Sequence, residues 1–182
     1  MLLVKETDET FFHLLIDSRG WLLFTNITIT DSATEAAAYQ AVQNPSNISQ
    51  LYNVQSGNFY LSREAMHQLY RGGNYNELRM SCYKPYHGRT LDAVVYGAEY
   101  IDLLFDRLTK TGMCGTVQFL PGDTSFTQSH CSCGDLKFGG MHYLYCSGLY
   151  HIVIGESNRF LCDDQYDDDN FNSNGYWLLY LQ

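Results

Sequence analysis

The chain has no long apolar run, few cations and no familiar catalytic signature, and each shortage narrows what it can be. No stretch approaches the roughly 20 consecutive apolar residues that span a bilayer, so no membrane partner is expected. The opening Met1-Leu2-Leu3-Val4 turns acidic at once, at Glu6, Asp8 and Glu9. It lacks the basic lead and longer apolar stretch of a secretion signal, which reads as a cytoplasmic protein. Lys and Arg together number 11 against 20 Asp and Glu, a formal net charge of −9. Long nucleic acid is disfavoured, because such binding depends on neutralising phosphates. Walker A, Gly-x-Gly-x-x-Gly, His-Glu-x-x-His and Gly-x-Ser-x-Gly sequences are all missing, so the common nucleotide, zinc-protease and serine-hydrolase templates are unmet.

What is present points to a globular domain rich in strands. At 182 residues with 45 % apolar content, one sizeable core is affordable and two comfortable domains are not. We therefore expect a single domain over 1–182. Aromatics reach 15 %, and Tyr alone supplies 15 residues; tyrosine suits half-buried strands, where its ring packs and its hydroxyl finds water or a partner.

The pattern along the chain predicts an α+β fold with a mixed or mainly antiparallel sheet. Phe11–Ile16 and Trp21–Thr30 flank Asp17-Ser18-Arg19-Gly20 and read as an N-terminal hairpin. Ser32-x-x-Glu35, after Asp31, has the spacing of a capping box and opens an Ala-rich helix that ends before Pro45. Ser62 to Tyr70 suits a second short helix stopped by Gly72-Gly73, followed by an irregular segment to Gly88. Leu91, Val94, Val95, Ala98, Ile101, Leu104, Phe105 and Leu108 fall at helical spacing, which predicts one long amphipathic helix over about 91–109, packed on the sheet. Beyond it, strand candidates at 116–120, 141–146, 150–154, 159–162 and 176–181 alternate with turn residues and imply a C-terminal β-meander.

Six cysteines stand at 82, 114, 131, 133, 146 and 162. Without a secretion signal they read as thiols of a reducing compartment. On the same logic Asn26-Ile27-Thr28 and Asn47-Ile48-Ser49 read as chance matches to the glycosylation acceptor pattern.

Three constellations have chemistry to offer. The densest set of metal-type ligands is Cys131 and Cys133, followed by His142, Cys146 and His151. Zinc gathers thiolate and imidazole ligands in tetrahedral sets from short loops, so this cluster is the candidate zinc site, structural or catalytic. The single residue between Cys131 and Cys133 departs from the wider spacing usual in structural knuckles, and Cys146 also suits a strand as a small apolar residue. A thiolate–imidazole pair, such as Cys82 with His87, is the cysteine-dependent alternative.

The second constellation is acidic: Asp163, Asp164, Asp167, Asp168 and Asp169. It reads as a solvated loop or as a negative patch that docks on a basic partner. The following Asn170-x-Asn172-x-Asn174-Gly175 mimics half of a calcium loop, but Leu181 stands where the bidentate acid belongs.

The third is a local reversal of charge, with Arg63, Arg71, Arg79, Lys84 and Arg89 opposed only by Glu64 and Glu77. Tyr83 and Tyr86 are interleaved with them, a pairing of residue types common at protein interfaces. It can also hold a phosphorylated small molecule. Together these features favour a small acidic, non-catalytic binding or inhibitor protein, of the immunity or anti-defence type, with a protein partner. Arg71, Arg79, Tyr83, Tyr86 and the aspartates are its candidate contacts. A zinc- or cysteine-dependent enzyme and a phosphorylated-ligand module remain as alternatives.

Overall fold

Two antiparallel sheets, built from strands distant in sequence, share one apolar core in the computed structural model. It describes residues 20–48, 58–105, 108–113, 115–130, 136–139, 144–146, 150–155, 159–165 and 172–182. The six-stranded sheet contains β1 (Leu22–Ile29), β2 (Phe59–Tyr60), β3 (Glu77–Lys84), β4 (Arg89–Tyr96), β6 (Val117–Phe119) and β11 (Gly175–Leu181), in the order β2-β1-β11-β3-β4-β6. The five-stranded sheet contains β5 (Thr109–Thr111), β7 (Lys137–Gly139), β8 (Leu144–Tyr145), β9 (Tyr150–Ile154) and β10 (Phe160–Gln165), in the order β10-β9-β8-β7-β5. Among the described residues four helices accompany them: α1 (Ser32–Gln43), α2 (Arg63–Gly72), α3 (Ala98–Phe105) and α4 (Phe126–His130). No helix among the described residues is long and apolar enough to cross a membrane.

Period-two patterning sets the inner face of the larger sheet. Leu78, Met80 and Cys82 on β3 lie opposite Leu181, Leu179 and Trp177 on β11, and opposite Val95, Ala93 and Leu91 on β4. All nine are fully buried. Because side chains alternate across a strand, Arg79, Ser81 and Tyr83 fall on the other face. Trp177 meets Phe160 of β10 at 5.5 Å between ring centres, and Phe160 meets Tyr39 of α1 at 5.1 Å. These rings join the two sheets and a helix in one apolar cluster, and the Trp177 indole donates 2.8 Å to the Leu161 carbonyl.

The long helix expected over 91–109 is not formed. Residues 91–96 belong to β4, helix α3 begins only at Ala98, and Thr109–Thr111 is the strand β5. Ala93, Val94 and Val95 are all buried, so β4 is covered on both faces. A doubly buried strand writes a near-continuous apolar run, which a 3.6-residue period fits about as well as a two-residue one. Gly97 (φ +113°) makes the break between strand and helix.

Other boundaries moved less. Helix α1 starts one residue earlier than the Ser32 spacing implied: Asp31 is the cap, accepting from the Thr34 amide at 2.8 Å while Thr34 Oγ1 returns the contact. The segment read as irregular before Gly88 contains β3, the central strand of the sheet. The meander is real for β7 to β10, whereas β11 crosses to pair with β1 and β3. The first strand of the expected N-terminal hairpin lies outside the described residues.

Candidate functional site

The end of the molecule beyond the β3–β4 turn concentrates charge in a way the sequence did not announce. Strand β3 finishes with Lys84 on the same side as Cys82, so its ammonium points between the sheets and is fully buried. Its Nζ lies 2.7 Å from Asp164 Oδ2 on β10. Two residues earlier on each strand's approach, Cys82 and Cys162 form a disulfide with a Cα–Cα distance of 5.8 Å, a covalent strut between the two sheets.

Asp163 sits between Cys162 and Asp164 at a bulge in the β9–β10 ladder. It is the one non-glycine residue with positive φ (57°) among the described residues, a conformation that aspartate tolerates better than most side chains. The bulge turns its carboxylate inward, where it is fully buried. Four donors meet it there: Arg89 Nε, the Phe126 amide (2.8 Å), the Thr127 amide (2.9 Å) and the Thr127 hydroxyl (2.9 Å). Arg89 Nη2 also donates 2.6 Å to the Asp163 carbonyl. A carboxylate so surrounded recovers in hydrogen bonds what it lost in hydration.

His87 closes the group. Its Nδ1 accepts the Arg89 amide at 3.1 Å, which places the ring proton on Nε2, donated 2.9 Å to the Cys162 carbonyl. Burial pushes the imidazole pKa below its usual value, and the neighbouring Arg89 cation adds to that, against the opposing pull of Asp164 and Asp163. The neutral tautomer is therefore the form that the turn is built around. Within electrostatic reach of Asp163, Asp123 accepts the Asp92 amide (2.7 Å) and the Ser125 amide and hydroxyl (2.9 and 2.7 Å). Burial raises its carboxyl pKa, partly countered by these bonds.

Over this buried base lies an outward-facing set of rings. Tyr86 is 60 % exposed and stands edge-on to His87 at 6.5 Å. The Arg89 guanidinium lies 4.2 Å above the Phe126 ring, which is 36 % exposed and meets His130 at 4.8 Å. An exposed aromatic residue, Tyr86, is thus fastened to groups that cannot easily move, while the Arg89 cation is turned to Asp163.

The residues singled out from sequence distribute unevenly. Asp163 and Asp164 are not part of a solvent-facing patch: both are buried and committed to Arg89, Lys84 and backbone amides. The reason is register, since they continue a strand whose partners lie across the core. Asp167, Asp168 and Asp169 lie outside the described residues. Tyr86 belongs to the exposed surface just described. Arg71 is exposed at the end of α2. Arg79 makes a two-pronged pair with Asp92 (2.8 and 2.7 Å) and lies 5.4 Å over Tyr180. Tyr83 stacks on Tyr176 at 5.8 Å, on the same outer sheet face. Arg79, Lys84 and Arg89 are each matched by an aspartate, so the local excess of cations read from sequence is largely neutralised at long range.

The cysteine expectation needs correction. Cys82 and Cys162 are bonded to each other, and Cys146 is also disulfide-bonded. A sulfur held in a disulfide is not a thiolate, so Cys146 as found is no zinc ligand and Cys82 no partner for His87 in nucleophilic chemistry. Sequence spacing cannot reveal a pairing across 80 positions. Cys131, Cys133 and His142 lie outside the described residues, and His151 is placed only as backbone within β9. Among the described residues no group of three metal-type ligands converges.

Lys84, His87, Arg89, Ser125 and Thr127 were missed as a group. One signal was available: a base follows Cys82 by two residues and two acids follow Cys162 directly, so pairing the cysteines would have brought opposite charges together. Comparison with protein-family models, with curated proteins and with solved structures finds no match to this chain.

Proposed function

We propose that the chain is a non-catalytic binding module that holds a protein partner at the β3–β4 end of the fold, sequestering or inhibiting it. The observation that carries this reading is Tyr86, 60 % exposed at a turn whose next residues, His87 and Arg89, are pinned to β10. Tyrosine and arginine dominate the few interface residues that supply most binding energy. Presenting Tyr86 on a rigid base lowers the ordering cost of association. The overall charge of −9 favours a partner of basic overall charge.

The reading extends to the compartment. A buried disulfide linking the two sheets, with a third cysteine also oxidised, supports folding in an oxidising environment rather than the cytoplasm expected from the opening residues.

The test is a photo-crosslinking amino acid placed at position 86, with a control at Gln68, exposed on α2. Irradiation among the proteins of the chain's own cells is expected to give a discrete adduct from position 86 and none from 68. The partner so identified should then lose about thirtyfold in affinity for Tyr86→Ala, the roughly 2 kcal/mol of an interface hot spot. Equal labelling from both positions, or unchanged affinity in Tyr86→Ala, sinks the reading.

A further inference from the structure

The disulfides change the meaning of two short sequences that a reducing compartment would make irrelevant. Asn26-Ile27-Thr28 and Asn47-Ile48-Ser49 both have the acceptor pattern for N-linked glycans. That pattern matters only where the chain passes through the compartment that also forms disulfides.

In β1, Ile27 is fully buried, so its neighbours Asn26 and Thr28 point the other way. Thr28 is exposed, and its hydroxyl lies 3.4 Å from Asn26 Oδ1. Among the described residues no group hydrogen-bonds Asn26 Nδ2, so the nitrogen that would carry a sugar is uncommitted. Asn47 is exposed, directly after the bridge that Ser46 makes with Leu61. Ile48, the middle residue of that second sequence, packs against the apolar core. In both sequences the middle residue is the one turned to the core.

We propose that the chain is N-glycosylated at Asn26 and Asn47, a proposal resting on the oxidising-compartment reading given above. In the reaction each amide Nδ2 displaces a lipid pyrophosphate from the anomeric carbon of a lipid-linked oligosaccharide. The nitrogen–carbon bond forms as the carbon–oxygen bond to phosphate breaks. The pyrophosphate leaves with the bonding pair, and the amide gives up one proton to a base. No electron is gained or lost, and the only co-reactant is that sugar donor. Asn26 is half-buried beside the exposed Thr28 and Asn47 is exposed, and glycans carried there leave Ile27 in the core.

The experiment uses the full chain recovered by antibody from the cells that make it, alkylated before any reductant is added. Peptide mapping then follows with and without a glycan-releasing amidase in heavy-oxygen water. The expected result is Cys82 linked to Cys162, together with amidase-dependent conversion of Asn26 and Asn47 to labelled aspartate. Bonded cysteines with a bare asparagine overturn the proposal for that site while leaving the compartment reading intact. Alkylated Cys82 and Cys162 overturn both. Secreted expression of Asn26→Gln and Asn47→Gln provides a second readout, each substitution removing one glycan from the intact mass.

Discussion

Arg89 holds Asp163 twice, from Nε to the carboxylate and from Nη2 to the carbonyl oxygen 2.6 Å away. The carboxylate is also the acceptor for three donors at the start of α4. Asp163→Ala would strip four donors of their partner and place an ordinary side chain in a left-handed conformation. We expect a loss of roughly 3–5 kcal/mol, the cost of breaking a buried pair. Asp163→Asn keeps one carbonyl acceptor and tolerates the backbone, so it should cost distinctly less. Urea unfolding of both variants checks the order; equal midpoints would mean that the carboxylate is not what holds α4 to β10.

The strut between Cys82 and Cys162 closes a loop of 80 residues. Restricting the unfolded chain over such a loop is worth roughly 2–5 kcal/mol. The double variant Cys82→Ala/Cys162→Ala should fall in stability by that amount. Thermal unfolding of the wild type should also drop when reductant is present throughout the scan. An unchanged midpoint in reductant, with alkylation showing both thiols free, would refute the structural role.

How far the sequence exposed this arrangement depends on range. The cap at the start of α1, the second short helix and the strand Tyr150–Ile154 rest on contacts with nearby residues and are legible or nearly so, and Gly175–Leu181 is legible from its own composition although its partners β1 and β3 lie far off in sequence. Strand β4 was mistaken for helix because burial on both faces erased its alternation. The Lys84–Asp164 and Arg89–Asp163 pairs span 80 and 74 positions in sequence. Nothing local records such pairings, and the aspartates looked like a solvent-facing run because their partners lay in another segment.

Gly175 offers a sharper check on how β11 lies against β3. A Cβ built there would collide with the carbonyl oxygen of Tyr83 and touch the Lys84 side chain. Only a bare backbone allows β11 to begin this close to the end of β3. Gly175→Ala should therefore cost about 2 kcal/mol or more, within the upper half of the usual single-substitution range. Gly88→Ala is the comparison, since a Cβ there meets nothing within 4 Å, leaving only the strain of φ +70°. Thermal shifts of the two variants should differ clearly, with Gly175→Ala the lower.

The buried imidazole makes stability depend on pH in a calculable direction. In the unfolded chain His87 titrates near 6.5, whereas in the fold burial and Arg89 lower its pKa. Between those two values the unfolded chain holds a proton that the folded one does not. Acidification therefore favours unfolding, with the His87 contribution fully present above about 6.5 and lost as pH falls through the lowered value. Protonation also removes the Nδ1 acceptor for the Arg89 amide, so the turn beneath Tyr86 loosens first. Asp123 works in the opposite sense at lower pH. Its raised pKa means that the folded chain takes up the proton first, and its contribution grows as pH falls through that raised value towards 3.8. Melting temperatures from pH 8 to 5 should thus decline most steeply at and below 6.5, and His87→Gln should flatten that slope while starting from a lower value at pH 8. A wild-type slope retained in His87→Gln would assign the acid sensitivity to other groups.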